Sequence, residues 1–423
     1  MPLFNNKTCK ILTFKPWIFA VAIAVCSSFT PSVETQAADL DEANDASADL
    51  IDQQNQFGLQ LWKELATRDN KNLFCSPMNV HTALSLLEPG ADGETRAQLR
   101  RLLYGDQATA AAAYPDFVRL MTDNKQTGVN IEMASQLWTR SGLTLLPAYR
   151  SSLLNRSSGI EQLDFKGQPE ASLETINDWV KDSTNEMIDS IATRDNVRKD
   201  TQLFLASAIY FKGKWTNEFT KAATRPMPFH LANETTMMTP MMRRSMSIRT
   251  VDSDGFRVAF LPYGDQVRRM EMVVLLPNEG INVDKMLQGM DASGMETLLR
   301  SRGRITPTIV MMPKMKFATE YNLVEALESL GMPQAFTDRA DFSGITSDER
   351  LKISSVVHKA VIEVDEQGTE AAAVTGISMA RATSVAPSPI IFKMDRPFAF
   401  MIRDRETGSI LFVGRFNRPQ QPE

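Results

Sequence analysis

Arg381 is the only basic residue between Gly368 and Pro389, in a stretch otherwise dominated by small side chains. A run of this length with little apolar anchoring is long for a loop inside a compact domain, and such loops are functional or disordered. An isolated arginine on an extended, exposed peptide suits one chemistry. A trypsin-like protease reads it through an acidic specificity pocket and attacks the carbonyl that follows. Arg381–Ala382 is therefore the bond such an enzyme would cut.

The element that must position this bond lies upstream. Val361-Ile362-Glu363-Val364 is apolar and β-rich and closes a long strand pattern, Leu351–Val364. The side chains then shrink. At period two, Thr369, Ala371, Ala373, Thr375, Ile377 and Met379 share one face, and Glu370, Ala372, Val374, Gly376 and Ser378 share the other. The first face is small and uncharged through its N-terminal half. That suits a strand able to slide between two neighbours in a sheet. Gly368, Thr375 and Gly376 bracket the alanines without a cap signal, which argues against a helix.

Glu366-Gln367-Gly368-Thr369-Glu370-Ala371-Ala372-Ala373 resembles the hinge of the inhibitory serpins, the serine protease inhibitor family. Asp395-Arg396-Pro397-Phe398-Ala399-Phe400 and Gly408-Ser409-Ile410-Leu411-Phe412-Val413-Gly414-Arg415 resemble the family's C-terminal strands. Phe211-Lys212-Gly213-Lys214-Trp215, Asn72–Pro77 and the region from Gly90 resemble further signatures, so the likeness spans about Ile51 to Pro419. It implies an α+β single domain, 51–419, with eight to nine helices, three β-sheets and an exposed reactive-centre loop over 366–389. It also implies a monomer without cofactor or metal. Counted from Gly368 in the commonest family register, the scissile bond falls one residue later, at Ala382–Thr383, which would suit an elastase-like enzyme. A hinge one residue shorter restores Arg381. Both bonds stay open.

The likeness implies suicide inhibition of a serine protease; the alternative within the family is a non-inhibitory carrier or substrate whose loop is only cleaved, and the small-residue hinge argues against it. The serine forms an acyl-enzyme, and the cut frees the arm from Gly368 to Arg381. Some 14 residues at about 3.3 Å each give roughly 45 Å of strand, against a domain diameter of roughly 50 Å. Inserting that arm would drag the tethered protease from pole to pole and disorder its oxyanion hole, so that deacylation fails. A charge or bulky branch at Thr369, Ala371 or Ala373 would have to be buried on insertion, and none is present. The likeness further implies that Glu366 meets Lys314 near Trp215, where the sheet first opens, and that His358 bridges the middle of the sheet to the segments beginning Ser76 and Thr201. Here the sequence departs from the family: Asn79 stands where serine is common, and Ser207 where asparagine is. We expect Asn79 to supply the amide that His358 loses on the other side, keeping the buried network satisfied.

The rest of the chain is consistent with a large secreted domain. It has 423 residues, a formal charge of −5 and a pI near 5.5, which does not favour nucleic acid. Lys7, Lys10 and Lys15 precede Trp17–Cys26, an apolar run too short to span a membrane. This reads as a secretory signal over 1–37, cleaved between about 28 and 38. An acidic, alanine-rich tail, 38–50, has no apolar period and reads as mobile. Of three cysteines, only Cys75 would remain, so no intrachain disulfide forms. Asn155 and Asn233 head glycosylation sequons. Three histidines and three cysteines leave no room for a zinc cluster. No nucleophile-elbow, phosphate-loop or dinucleotide pattern supports a hydrolase or other enzyme. Arg243-Arg244 and Arg268-Arg269 read as solvated faces, and Gln107–Lys125 carries little basic charge, so a heparin-type polyanion is not expected as a partner. The expected partner is an extracellular trypsin-like protease, by analogy one in a clotting or immune cascade.

Overall fold

Apolar on both faces, the run from Leu203 becomes the central strand of a covered sheet, Leu203–Gly213. Alternate side chains serve two cores. Phe204, Ala206 and Ala208 pack with Ile176 and Val180 of the helix Pro169–Ser183, while Leu203, Leu205, Ile209 and Phe211 face the larger core.

The computed structural model describes residues 33–105, 128–153, 159–264, 269–301, 303–368 and 388–420. The chain divides into two compact units, 1–42 and 43–423. The described residues form eight α-helices: Val33–Arg68, Pro77–Ser85, Gly93–Tyr104, Pro147–Leu153, Pro169–Ser183, Val283–Gly289, Ala292–Arg300 and Val324–Ser329. The strands are β1 (Leu73–Cys75), β2 (Val129–Arg140), β3 (Ile160–Leu163), β4 (Leu203–Gly213), β5 (Arg225–His230), β6 (Thr236–Ser253) and β7 (Phe256–Pro262). They continue with β8 (Met270–Pro277), β9 (Arg304–Pro313), β10 (Met315–Asn322), β11 (Ile353–Val364), β12 (Ile390–Lys393), β13 (Phe398–Asp404) and β14 (Ile410–Phe416).

One sheet has five strands in the order β10-β11-β4-β2-β3. The other has nine: β1-β14-β13-β8-β7-β6-β9-β12, with β5 on β6. The fold is the α+β arrangement expected, but its described strands hydrogen-bond into two networks, not three. The reason is β6. Its 18 residues pair with β5 and β9 over most of their length and with β7 at the end, joining what would otherwise be separate sheets.

Several local expectations shift. The tail 38–50, which has no apolar period and is expected from the sequence to be irregular, lies within the helix Val33–Arg68. Alanine favours helix intrinsically, and elongation from an existing turn adds a bond per residue without a new nucleus. The β-rich run Ile309–Phe317 does not form one strand but splits at Lys314 into β9 and β10, which belong to different sheets. Met187 and Ile191 continue the helical spacing of Ile176 and Val180, yet the helix ends at Ser183, with Asn185 and Glu186 at positive φ, +50° and +61°. Val283–Leu299 breaks at Asp291, whose side chain caps a new helix through Gly294 N–H at 2.6 Å. Arg269 is no solvated face. Its side chain is 14% exposed and pairs with Asp404 at 2.5 Å and Glu406 at 3.2 Å.

The first helix is tied to the nine-stranded sheet by a fully buried cation. Arg415 of β14 donates to the carbonyls of Ala66, Asp69 and Lys71 at 2.7–2.8 Å and to Asp284 at 2.5 Å. It thereby satisfies carbonyls that a helix end leaves open. Arg415→Met should strand these acceptors and cost about 3 kcal/mol, a fall in Tm of about 4 °C for a domain of this length. Arg415→Lys should recover only part, because an ammonium lacks the planar fork. Scanning calorimetry of the three proteins checks this.

Candidate functional site

β11 and β4 are direct neighbours and run parallel, from Ile353 beside Leu203 to Ile362 beside Phe211. Their other partners are antiparallel: β10 beside β11, and β2 beside β4. The chain leaves β11 at Val364 and turns on Asp365–Gly368 across the end of β4. Gly368 sits at φ +82°, and a Cβ there would collide with the Gly213 carbonyl and the Trp215 nitrogen. Only glycine fits this approach. Trp215 N–H donates to Gln367 O at 3.1 Å, its indole Nε1 to Asp365 O at 3.1 Å, and Phe219 N–H to Glu366 O at 2.7 Å. Trp215 stacks on buried Tyr263 with ring centroids 4.2 Å apart, so the platform under the turn is rigid.

Glu366 is buried at this turn. Lys314, at the β9–β10 joint, donates to Oε2 at 2.9 Å, and Thr224 donates to Oε1 at 2.8 Å. Burial pushes the carboxyl pKa up, but the hydrogen bonds from Lys314 and Thr224 outweigh it and the net shift is downward. Glu366 is thus held as a carboxylate, both oxygens engaged, at the point where β11 ends. Lys314 is 41% exposed, so the pair itself contributes little Coulomb energy; its two-sided geometry fixes the turn.

Lower in the sheet, one register row carries the polar side chains. Ser135 of β2 lies opposite Ser207 of β4, and Ser207 beside His358 of β11. This row faces the N-terminus of the helix Pro77–Ser85. Ser76 is its N-cap and Pro77 its first residue. Ser76 N–H donates to His358 Nε2 at 3.0 Å. That nitrogen must therefore carry a lone pair, so the neutral ring holds its proton on Nδ1 and donates it to Ser207 Oγ at 2.9 Å. The His358–Ser207 bond spans the two parallel strands.

Asn79 does not do what the residue exchange suggested. Its Oδ1 accepts from Ser135 Oγ at 2.8 Å, and its buried Nδ2 has no partner among the described residues. The Ser76 backbone already fills His358 Nε2, and Asn79 projects toward β2 instead of β11. The network around His358 is complete, but the amide donor beside it is left over.

Of the residues singled out in the sequence, the structure brings Glu366, Lys314, Trp215 and Gly368 together at the turn, and Ser76, Ser207 and His358 together at mid-sheet. Thr369, Glu370, Ala371, Ala372, Ala373, Arg381, Ala382 and Thr383 lie outside the described residues, as do Asn155 and the apolar run 17–26. Asn233 is described and sits exposed in a turn, with Glu234 at φ +65°. Sequence reading missed Thr224 and Ser135. Nothing in the sequence around Thr224 marks it. Ser135 was within reach, because pairing β2 with β4 by their apolar alternation sets it opposite Ser207.

Among the described residues no group of side chains could hold a metal ion, and no helix is long and apolar enough to cross a membrane. Comparison with known proteins places the arrangement. Residues 52–419 match the family model "Serpin (serine protease inhibitor)". Iripin-2 of Ixodes ricinus is 36% identical over 380 residues, spanning 88% of this chain and 94% of the relative. Serpin B3 of Homo sapiens is 31% identical over 388 residues, 88% and 99% of the two chains. The crystal structure of the thermophilic serpin tengpin in its native state superposes with a TM-score of 0.79 at 26% identity, over 87% of this chain and 94% of that one. Uncleaved ovalbumin gives 0.79 at 27% identity, over 88% and 100%.

Burial pushes the pKa of His358 down to about 3 and that of His81 down to about 4. A histidine held neutral in the fold but free to protonate when unfolded contributes stability above its unfolded pKa, near 6.5, and loses it as pH falls below that value. Each should remove about 1.4 kcal/mol per pH unit between about pH 6.5 and 4. Thermal unfolding followed by circular dichroism should show Tm falling steeply across this window. His358→Gln should lower Tm at pH 7.5 yet flatten its pH dependence; an unchanged slope would remove His358 as the titrating group.

Proposed function

The chain belongs to the serpins, and we propose that it is a secreted suicide inhibitor of trypsin-like serine proteases. The observation that carries this reading is the parallel pair β4–β11 with a glycine-locked turn at its open end. A strand returning from Gly368 and threaded between the two would run antiparallel to both. One parallel pairing would become two antiparallel ones, and parallel pairing is the less stable per residue. The native sheet thus has somewhere downhill to go. β11 is 12 residues long, about 40 Å of strand. The arm beginning at Thr369 has the length to match it, and its small hinge side chains would enter without burying a charge.

The protease serine attacks the Arg381 carbonyl, its histidine takes the hydroxyl proton and returns it to the departing Ala382 amine, and the arm remains esterified to the enzyme. Insertion then competes with water. Because the arm carries the ester with it, the acyl group is pulled from the oxyanion hole before hydrolysis. Glu366 and Lys314 hold the turn closed beforehand, and the His358–Ser207 bond is the polar link that must part next. Secretion is supported by the basic and apolar N-terminal pattern and by the exposed Asn233 sequon.

Incubation with trypsin and separately with elastase tests the bond. A denaturant-resistant complex with trypsin and a released peptide beginning at Ala382 is expected. A complex with elastase and a peptide beginning at Thr383 would move the bond one residue and change the target class. Clean cleavage by both enzymes, with no complex, would make the protein a substrate or carrier.

The hinge is tested separately. Thr369→Arg and Ala371→Asp should each convert inhibition into turnover, with at least tenfold less complex per cleavage event on a denaturing gel. Undiminished complex would sink the insertion step.

A further inference from the structure

The outer face of a half-covered sheet is normally polar. On β9 it is not. Ile305, Pro307, Ile309 and Met311 project outward, while Thr308, Val310 and Met312 between them are buried. The parallel register sets Ile391 of β12 beside Ile309 on the same side. Ile305 is 76% exposed and Ile391 55%. Cations rim the stripe: Arg243 lies opposite Met311, Lys393 beside it, and exposed Arg304 at the strand's start.

We propose that this stripe is a second docking surface for the body of the attacking protease, one with an apolar rim flanked by carboxylates. The proposal rests on reading the loop before Ser388 as protease bait. Three arguments point to this occupant. The stripe is continuous with the loop's C-terminal anchor, since β12 begins at Ile390, just beyond the loop, and pairs with β9. Ile390 stands eight positions beyond Ala382, so the bond is at most about 28 Å of extended chain away. A protease of about 230 residues is about 45 Å across, so one holding Arg381 overhangs the stripe. Finally, five apolar side chains, of which Ile309 and Met311 are half-buried, are too few for a stable dimer, which buries about 800 Å² per partner, but enough to supplement a loop already gripped. Burying them would slow dissociation of the encounter complex, leaving more time for acylation.

Ile305→Glu and Ile391→Glu test the proposal, since both positions are exposed and should leave Tm unchanged. The rate of complex formation with trypsin is expected to fall about tenfold in the double variant, with the stoichiometry of inhibition unaltered because insertion is untouched. Affinity for a trypsin whose catalytic serine is replaced by alanine should fall by a similar factor, and this reads the stripe without any chemistry. Equal affinity for the inactive enzyme would overturn the docking surface. If the wild-type chain forms no covalent complex at all, the inhibitor reading fails, and the inactive-enzyme binding still decides the stripe. A wild-type dimer in analytical ultracentrifugation that the Ile305→Glu change dissolves would also overturn the proposal, making the stripe an interface between copies of this chain.

Discussion

The parallel contact between β4 and β11 is the constraint on which the rest of the molecule depends. β4 is covered on both faces, and β11 is buried along one face and over the first half of the other, so the pair is deeply anchored by burial. Yet its backbone pairing is the weaker of the two kinds available to it, and its neighbours on either side are antiparallel. A sheet built this way is complete in its packing and incomplete in its pairing. The turn at Gly368 lies at the end of the pair where a further strand would enter.

Two polar devices sit along that seam, and they differ in kind. At the top, Glu366 is held by Lys314 and Thr224 beside the indole of Trp215, a lock partly open to water and made of side chains from three separate elements. At mid-sheet, His358 is fully buried, kept neutral by its surroundings, and bonded to Ser207 across the seam. The first depends on charge and the second on excluding it. Acid acts on both in the same direction, since a protonated Glu366 loses its partner and a protonated His358 cannot accept from Ser76. The leftover Nδ2 of Asn79 lies beside this second device. A buried donor without an acceptor is a local cost of about 1–3 kcal/mol.

The outer face of the nine-stranded sheet differs from an ordinary solvated one. Its β12 anchors the far end of the loop, and the apolar stripe on β9 lies alongside. Packing on the inner face fixes these strands through Val310, Met312 and Phe392, and Ile305 and Ile391 on the outward side remain exposed. Aliphatic side chains there call for a partner, in the same way that the small side chains of the hinge call for a seam to enter.

The sequence by itself determined the local elements whose cause is local. Ser76-Pro77 starts a helix because a hydroxyl caps it and a proline tolerates its first position. The run Thr201–Phe211 is a central strand because both its faces are apolar. Thr369–Ala373 can be read as an insertable arm because period two sorts its small residues onto one face. What the tertiary structure alone decided are the contacts between segments far apart in sequence. That β9 and β10 part at Lys314, and so carry its ammonium to Glu366, depends on which sheet each half joins, and the strand-like pattern Ile309–Phe317 does not encode it. That Asn79 turns to Ser135 and leaves His358 to the Ser76 backbone depends on the angle at which one helix meets a row of strands. Periodicity specifies which face of an element is buried. It does not specify what that face will meet, because the partner is chosen by long-range packing, and hydrogen-bond direction is settled only when the atoms are within about 3 Å.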